Sequence, residues 1–201
     1  MKDFKQISVT AGNIVKVNNP TSYPLIGKGS QGAVFRLTGK SCVKIYAKEE
    51  TAHMEITAYT LAKDSTIIPK LYEAGHNYII IEYLRCLTLE EYLKTKGTIT
   101  EALTQKILDL LNEIKRLGFP RIDWPLRHIF ITKDAELKII DLVHAFKIKK
   151  RRPTQLFKDL SKLNLLNQFA EYVQKINPEI FMEWKDAIDR YAPSVQVIGN
   201  R

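Results

Sequence analysis

The chain has 201 residues, of which 45% are hydrophobic, and it carries a formal net charge of +9 with an isoelectric point near 9.4. This length suits one large domain or two small lobes, and the apolar content suffices for an ordinary core. No apolar run approaches the ~18 residues of a membrane span, and the N-terminus has no apolar signal core. The charge indicates either a solvated basic surface or an anionic partner. Cys42 and Cys86 stand in or beside apolar runs, which favours reduced thiols and a cytoplasmic protein.

A glycine-rich stretch is the strongest signal in the first half of the chain. It follows a predicted hairpin over residues 6–17, and it spaces Gly27, Gly29 and Gly32 as G-x-G-x-x-G. Glycine lets the backbone approach a polyanion closely, and its N–H groups can bind phosphate oxygens. The spacing alone does not distinguish a dinucleotide-binding turn, which opens into a helix, from a loop between two strands.

The residues after the glycines favour the loop between strands. A strand-like run over residues 33–37 follows at once, and a second run over residues 41–46 carries Lys44. Strand, glycine loop and two further strands are the order found in the nucleotide lid of a protein kinase. The predicted nucleotide-binding residues here are Gly27, Lys28, Gly29, Gly32, Val34 and Lys44.

A helix is predicted over residues 47–64, and its apolar stripe contains Glu55. A buried glutamate needs a partner, and Lys44 is the predicted one, because an ion pair would hold its ammonium group on the nucleotide phosphates. The alternative is an exposed Glu55 at the helix edge, with Glu49 or Glu50 forming the pair instead.

The most β-rich run, over residues 78–83, predicts a central strand that pairs with residues 72–74. Where this strand ends, the backbone from Glu82 to Leu84 is predicted to bind the edge of an adenine ring. The composition then shifts from mostly strand to mostly helix. This shift predicts an N-lobe over residues 1–84 and a C-lobe over residues 85–201, with a cleft between them.

The second half of the chain predicts several helices. A Thr98-x-x-Glu101 capping box is expected to start a long amphipathic helix, which Gly118 ends. Further helices are predicted over residues 88–96, 155–176 and 178–191, with a loose tail over residues 195–201.

Two aspartates flank a predicted hairpin with strands over residues 129–132 and 137–140. Asp123 precedes the first strand and Asp141 closes the second. Phosphoryl transfer needs a carboxylate that orients the attacking hydroxyl and hard oxygen ligands for Mg²⁺. The two aspartates therefore predict a base and a metal ligand.

In this order the motifs resemble those of the protein-kinase superfamily, over roughly residues 23–145. The resemblance implies that Asp123 is the catalytic-loop aspartate and that Asp141 is the metal-binding aspartate. It implies that Lys44 and Glu55 are the strand lysine and its helix glutamate.

The catalytic segment departs from the usual kinase pattern. His128 stands in the position of the second metal-binding residue, normally asparagine, where an imidazole would suit Mn²⁺ better than Mg²⁺. The alternative for His128 is a hydrogen-bonded core histidine. Arg127 is placed as in tyrosine kinases, which implies a positive charge at the transferring phosphoryl group. The usual D-F-G motif reads D-L-V from Asp141.

The pattern is similar to the lipopolysaccharide core kinases that act on Kdo and heptose, which share the histidine at the position of His128, I-D-L and a later K-D-L. It is also similar to Rio-type kinases, which lack the activation and substrate lobes. The resemblance implies a small atypical bacterial serine/threonine kinase. The expected fold class is α+β and bilobal, with an antiparallel β-sheet N-lobe and a truncated, mostly helical C-lobe. Asp159 of K-D-L is expected either to brace the catalytic loop or to lie on a helix surface.

The implied function is transfer of the ATP γ-phosphate to a hydroxyl, with Mg²⁺ or Mn²⁺ as the metal. The acceptor is a protein serine or threonine, or alternatively a small molecule or sugar. A pseudokinase or nucleotide-binding adaptor is a second hypothesis. A third is a binder of nucleic acid or another anionic partner through the basic run KIKKRR at residues 147–152, which is otherwise a solvated surface.

Overall fold

The computed structural model describes residues 3–147 and 149–192. The predicted tail over residues 195–201, and Ile148 within the basic run, lie outside the described residues. The chain divides into two compact units, of which one contains Met1–Cys86 with Lys138–Ile148 and the other contains Leu87–Leu137 with Lys149–Arg201.

The first unit begins with a short 3₁₀ turn and continues with seven strands and one helix. In chain order these elements are β1 (Ser8–Thr10), β2 (Lys16–Asn18), β3 (Leu25–Lys28), β4 (Gly32–Arg36), β5 (Ser41–Tyr46), α1 (Glu49–Leu61), β6 (Leu71–Ala74) and β7 (Tyr78–Glu82). Strands β3 to β7 form an antiparallel sheet in the order β3-β4-β5-β7-β6. Strand β7 is interior, as its composition predicts, but the middle position belongs to β5.

The N-terminal segment covers one face of this sheet. Strands β1 and β2 form the predicted hairpin, with Ser8 opposite Asn18. The side chains of Phe4 and Val15 are almost fully buried. They belong to an apolar cluster with Ile7 and Val9 of the same segment and with residues that alternate along the sheet strands, namely Ala33, Phe35, Val43, Ile45 and Ile80. Because side chains alternate across a strand, the residues between these positions face the other side of the sheet.

Helix α1 lies on that other side. It buries Ala52, Glu55 and Tyr59, so the predicted stripe is confirmed within a helix somewhat shorter than residues 47–64. Cys42 of β5 is buried and unpaired, and burial raises the pKa of its thiol to about 12. The thiol therefore stays protonated near neutral pH, which fits a small core side chain.

The second unit contains two short strands and five helices among its described residues, one of them α4, which follows the basic run. In chain order they are β8 (Leu87–Thr88), α2 (Leu89–Lys96), α3 (Glu101–Arg116), β9 (Ile129–Ile131), α4 (Thr154–Lys162), α5 (Leu166–Ile176) and α6 (Pro178–Tyr191). A 3₁₀ turn over Leu126–His128 precedes β9. Strand β10 (Leu137–Ile139) carries the chain from the second unit back to the first.

The predicted capping box of α3 is wrong. The N-cap is Thr100, whose side chain accepts from the Leu103 amide, whereas Thr98 donates to Gln168. A capping box does occur one helix earlier, between Thr88 and Glu91 of α2. A threonine and a nearby glutamate stand at the start of both α2 and α3. The backbone conformation before each helix decides which threonine caps it.

Residues 155–176 form two helices instead of the single predicted one. Asn164 adopts a left-handed backbone with φ of 58°, and the Leu165 amide donates to the Leu160 carbonyl at 2.9 Å. This is a helix C-terminal motif, in which asparagine can replace glycine. The apolar periodicity continues across the break, so the pattern alone did not reveal it. Among the described residues, no helix is both long and apolar enough to cross a membrane.

Candidate functional site

Four residues of adjacent strands form a row across the sheet of the first unit. Gly27 pairs with Val34, Val34 with Lys44, and Lys44 with Ile79. Directly opposite residues in antiparallel strands point to the same face, so Lys44 lies beside the glycine stretch on the α1 side of the sheet. Lys44 and the glycine stretch therefore share one face of the sheet, and nucleotide binding by these residues stays a prediction.

The Lys44 ammonium contacts two carboxylates. Its Nζ is 2.6 Å from Glu55 Oε2 and 3.1 Å from Asp141 Oδ1. Glu55 is 1% exposed, so the predicted ion pair is present and the exposed alternative is wrong. Tyr46 donates to the same Glu55 oxygen over 2.7 Å, and the Leu142 amide donates to the other oxygen over 3.0 Å. Two carboxylates thus hold the lysine, and two further donors fix the carboxylate of Glu55.

These contacts determine the charge of the cluster. Burial disfavours the charged form of Lys44, but the carboxylates of Glu55 and Asp141 outweigh it, and the pKa of Lys44 is raised. Burial, with the neighbouring Glu55 carboxylate, also raises the pKa of Tyr46 and of Tyr59 well above their usual range. Lys44 is therefore a fixed positive charge near neutral pH, while both phenols remain neutral.

Asp141 combines a left-handed backbone with a partly exposed carboxylate. Its φ is 63°, in the left-handed region, and its side chain is 34% exposed although it also reaches Lys44. Non-glycine residues with such backbones cluster at functional sites. The described residues contain no group of three or more metal-binding side chains. A partly exposed carboxylate nevertheless fits Mg²⁺, which usually takes one or two carboxylates and completes its shell with phosphates and water.

The glycine stretch is a tight turn between β3 and β4, closed by the Gly29 amide donating to the Gly32 carbonyl at 3.0 Å. A Cβ at Gly32 would lie 2.5 Å from the Ile45 carbonyl oxygen, so this glycine is needed for close strand packing. A Cβ at Gly27 or Gly29 would meet open space. These two glycines leave room above the sheet, as a bound phosphate would require.

Two contacts of this turn involve residues that the sequence did not single out. The Val15 amide donates to the Gly29 carbonyl at 2.9 Å, so the N-terminal hairpin supports the turn. Gln31 Nε2 lies 2.8 Å from His144 Nε2, which connects the turn to the segment after Asp141. Neither partner lies near the glycines in sequence, and no local pattern marks either of them.

The backbone after β7 is partly hydrogen-bonded within the first unit. The Glu82 amide donates to the Lys70 carbonyl and the Tyr83 amide to the Lys40 carbonyl, both at 2.9 Å. These bonds occupy the amides of Glu82 and Tyr83, and adenine binding by the backbone from Glu82 to Leu84 stays a prediction. The Glu82 side chain pairs with Lys138 at 2.6 Å, and this contact lowers the pKa of Glu82 against the opposing effect of burial.

Asp123 in the second unit is 8% exposed and binds the start of α4. The Gln155 amide donates to its Oδ1, and the Thr154 hydroxyl donates to its Oδ2 over 3.2 Å. Helix α4 follows Pro153, which offers no capping side chain, and Asp123 accepts from one of the first amides of the helix instead. The aspartate is thus a fixed carboxylate with a hydroxyl at one oxygen.

Asp159 supports the same segment from within α4. It is 8% exposed, and its Oδ2 accepts from the Leu126 amide at 3.2 Å, while its Oδ1 accepts from Gln155 Nε2 at 2.8 Å. The expectation of a bracing aspartate is therefore confirmed, and the surface alternative is wrong. The brace holds the 3₁₀ turn that contains Arg127 and His128.

The remaining predicted residues of the second unit lie on or near that turn. Arg127 is exposed and His128 is half-buried. The basic run is attached by its backbone, since the Ile122 amide donates to the Lys150 carbonyl at 3.0 Å and the Lys150 amide to the Pro120 carbonyl at 2.9 Å. An anionic partner of this run, and a metal at His128, stay predictions.

No protein-family model matches the chain. Over 123 residues the chain is 30% identical to a protein of Bacillus subtilis (strain 168) named "Putative serine/threonine-protein kinase YrzF". The match covers 59% of this chain and 57% of that protein, so the chain spans little more than half the length of this relative. The likeness supports a kinase-like character at a coarse level. It gives no support for the more specific resemblance to Rio-type or lipopolysaccharide core kinases. That resemblance stays a prediction.

Proposed function

We propose that the chain is an ATP-dependent phosphotransferase of the serine/threonine kinase type. The observation that carries this proposal is the contact of Lys44 with both Glu55 and Asp141 on the sheet face beside Gly27 and Val34. A fixed cation, a partly exposed carboxylate and an open glycine turn are what phosphate binding requires. Similarity to a protein named as a kinase supports the same class.

Each predicted residue then has a role. Lys44 holds the nucleotide phosphates, Gly27 and Gly29 allow the backbone to cover them, and the Glu82 carbonyl and Leu84 amide bind adenine. Asp141 holds the metal, which neutralises charge on the transferring phosphoryl group when bound. Asp123 orients the acceptor hydroxyl, and Arg127 and His128 add positive charge or ligation at the phosphates.

Transfer of labelled γ-phosphate from ATP to acceptor proteins such as casein and histone tests the proposal. Wild type should transfer phosphate, whereas Asp123→Asn and Asp141→Asn should lose at least about a hundredfold in rate, the usual contribution of a positioned acid–base group. Lys106→Met, which removes a surface lysine paired with Glu136, is the matched control and should keep the rate. Equal labelling by all four proteins would exclude the proposal.

A nucleotide-dependent adaptor without turnover is a second candidate. The observation that favours it is that both oxygens of Asp123 already accept bonds from the start of α4. An adaptor of this kind would gain thermal stability with ATP but transfer no phosphate to any acceptor. Turnover that depends on Asp123 would exclude this candidate.

A further inference from the structure

A groove on the second unit is lined by cations from two separate parts of the chain. Its volume is about 370 Å³, and its lining includes Lys115, Pro120, Ile122, Lys149, Arg151 and Glu183. Lys115 lies in the last turn of α3, and Glu183 lies on α6. Because three cations face one carboxylate among the described lining residues, we call this feature the basic groove.

The end of α3 fixes one wall of the basic groove. The Phe119 amide donates to the Ile114 carbonyl at 3.3 Å, and the Gly118 amide donates to the Lys115 carbonyl at 2.9 Å. Gly118 has a left-handed backbone with φ of 76°. These two bonds and the glycine form a Schellman motif, which ends the helix and turns the chain sharply. Lys115 and Phe119 are therefore placed by the backbone.

A parallel bridge fixes the opposite part of the lining. It joins Arg121 to Lys150, and the Lys150 amide and carbonyl both bond to the neighbouring segment, at 2.9 Å and 3.0 Å. Because side chains alternate along an extended backbone, the residues on either side of the bridge point away from the bridge residues. The four residues that flank the bridge line the groove together, namely Pro120, Ile122, Lys149 and Arg151.

The basic groove combines exposed charges with an apolar centre. The side chains of Lys115, Lys149 and Arg151 are exposed, and none of them pairs with a carboxylate among the residues that the structure describes. Phe119 and Ile122, which also line the groove, are only 3% and 2% exposed. An apolar centre within a polar rim is the usual arrangement of a surface that binds another protein.

We propose that the basic groove binds an acidic peptide segment of a partner protein, with one apolar side chain between its carboxylates. Ligand pockets span about 300–1,000 Å³, so this small groove fits a side chain with its adjoining backbone. The apolar side chain contacts Phe119 and Ile122. The flanking carboxylates form charge-assisted hydrogen bonds with Lys149 and Arg151, of which the arginine can bind in bidentate fashion.

Glu183 favours a peptide over a nucleic acid as the occupant. Its exposed carboxylate lines the same groove and would repel a continuous phosphate backbone. A peptide instead offers backbone N–H groups, which can donate to this carboxylate, whereas a phosphodiester backbone has no such donors. The sequence predicts an anionic partner for the basic run without its chemistry, and the groove selects a peptide with an apolar anchor.

Fluorescence anisotropy with a fluorescein-labelled heptapeptide, made of glutamates around a central leucine, tests this inference without ATP. Lys149→Glu/Arg151→Glu should bind the peptide at least about tenfold more weakly than wild type, because each reversal replaces attraction by repulsion. The matched control is Lys133→Glu/Lys158→Glu, which makes the same change in net charge at exposed positions outside the groove and should bind like wild type.

The apolar centre is tested by changing the peptide, because Phe119 and Ile122 are buried and their substitution would disturb the fold. A peptide with a central serine should bind wild type at least about fivefold more weakly, because burial of the leucine side chain contributes to affinity.

Four results would overturn the inference. They are no binding of the leucine peptide to wild type, equal affinities of the two double variants, equal affinities of the leucine and serine peptides, and groove-dependent binding of a labelled oligothymidylate that exceeds binding of the leucine peptide. The last result would assign the groove to a nucleic acid. Because no nucleotide is present, each of these results is independent of the proposed phosphotransferase activity.

Discussion

The Leu142 amide donates a hydrogen bond of 3.0 Å to Glu55 Oε1, which connects helix α1 to the residue after Asp141. The other oxygen of the same carboxylate accepts from Lys44. One buried side chain therefore orders both the lysine and the segment of the second aspartate. Glu55 therefore fixes the position of Lys44 relative to the residue after Asp141.

Replacing Glu55 should destabilise the protein strongly. Glu55→Ala leaves the Lys44 ammonium and the Leu142 amide without this partner, and removing one member of a buried ion pair costs roughly 3–5 kcal/mol. Lys44 has 13% side-chain exposure, so we expect the lower end, about 3 kcal/mol, in urea unfolding. The control is Glu101→Ala, which breaks an exposed pair with Lys175 and should cost at most about 1 kcal/mol. Equal losses for both variants would contradict the role given to Glu55.

The contacts of Lys44 with Glu55 and Asp141 also predict how the free energy of unfolding depends on pH. The pKa of Lys44 is raised in the folded protein above its ordinary value of 10.5, so its contribution is complete below that value and is lost as the pH rises through the folded pKa. The raised pKa values of Tyr46 and Tyr59 act with the same sign above their ordinary value of 10.0. Unfolding free energies should therefore fall more steeply in wild type than in Lys44→Met as the pH rises above about 10.5.

That comparison isolates the lysine, because both tyrosines remain in the variant. Parallel pH curves for the two proteins would show that the ion pair does not raise the pKa of Lys44.

The two types of glycine in the turn should respond differently to alanine. In Gly32→Ala the new methyl group meets the Ile45 carbonyl oxygen, and such overpacking costs about 1–3 kcal/mol. In Gly29→Ala the methyl group enters open space, so the unfolding free energy should change by less than about 0.5 kcal/mol. Thermal and urea unfolding of both variants measure the contrast, and similar stabilities would contradict the close approach at Gly32.

The cap of α3 gives a further test of the structure. Thr100→Ala removes the side chain that accepts from the Leu103 amide and should lower the unfolding free energy by about 1 kcal/mol. Thr98→Ala removes an exposed bond to Gln168 and a long bond of 3.4 Å to the Ile99 carbonyl. Neither caps the helix, so the loss should be less than about 0.5 kcal/mol. A larger loss for Thr98→Ala than for Thr100→Ala would instead support the Thr98 capping box that the sequence predicts.

The elements of the first unit could be predicted well from the sequence, because the patterns that mark them are local. Alternating apolar residues define the sheet strands, and the closely spaced glycines mark the turn between β3 and β4. A glutamate within an apolar helical stripe requires a buried cation, and Lys44 is the lysine on the neighbouring strand. The Lys44–Glu55 pair could therefore be predicted from chemistry, although the two residues are 11 positions apart.

The helix boundaries and side-chain contacts of the second unit were harder to predict, because the contacting residues are far apart along the chain. Asp123 binds Thr154 and Gln155, which lie 31 and 32 positions further on, and nothing in the local pattern marks that encounter. The break at Asn164 falls inside a continuous apolar periodicity, so it depends on the backbone of one residue. The bond between Gln31 and His144, 113 positions apart, belongs to the same class of long-range contact.

The most direct test of the account is calorimetric titration of ATP with Mg²⁺ into wild type, Lys44→Met and the control Lys106→Met. Wild type and Lys106→Met should bind ATP with equal affinity. Lys44→Met should bind at least about tenfold more weakly, which corresponds to about 1.4 kcal/mol. Equal binding by Lys44→Met and wild type, or no binding of ATP by wild type, would contradict the assignment of Lys44, Glu55 and Asp141 to a nucleotide phosphate site.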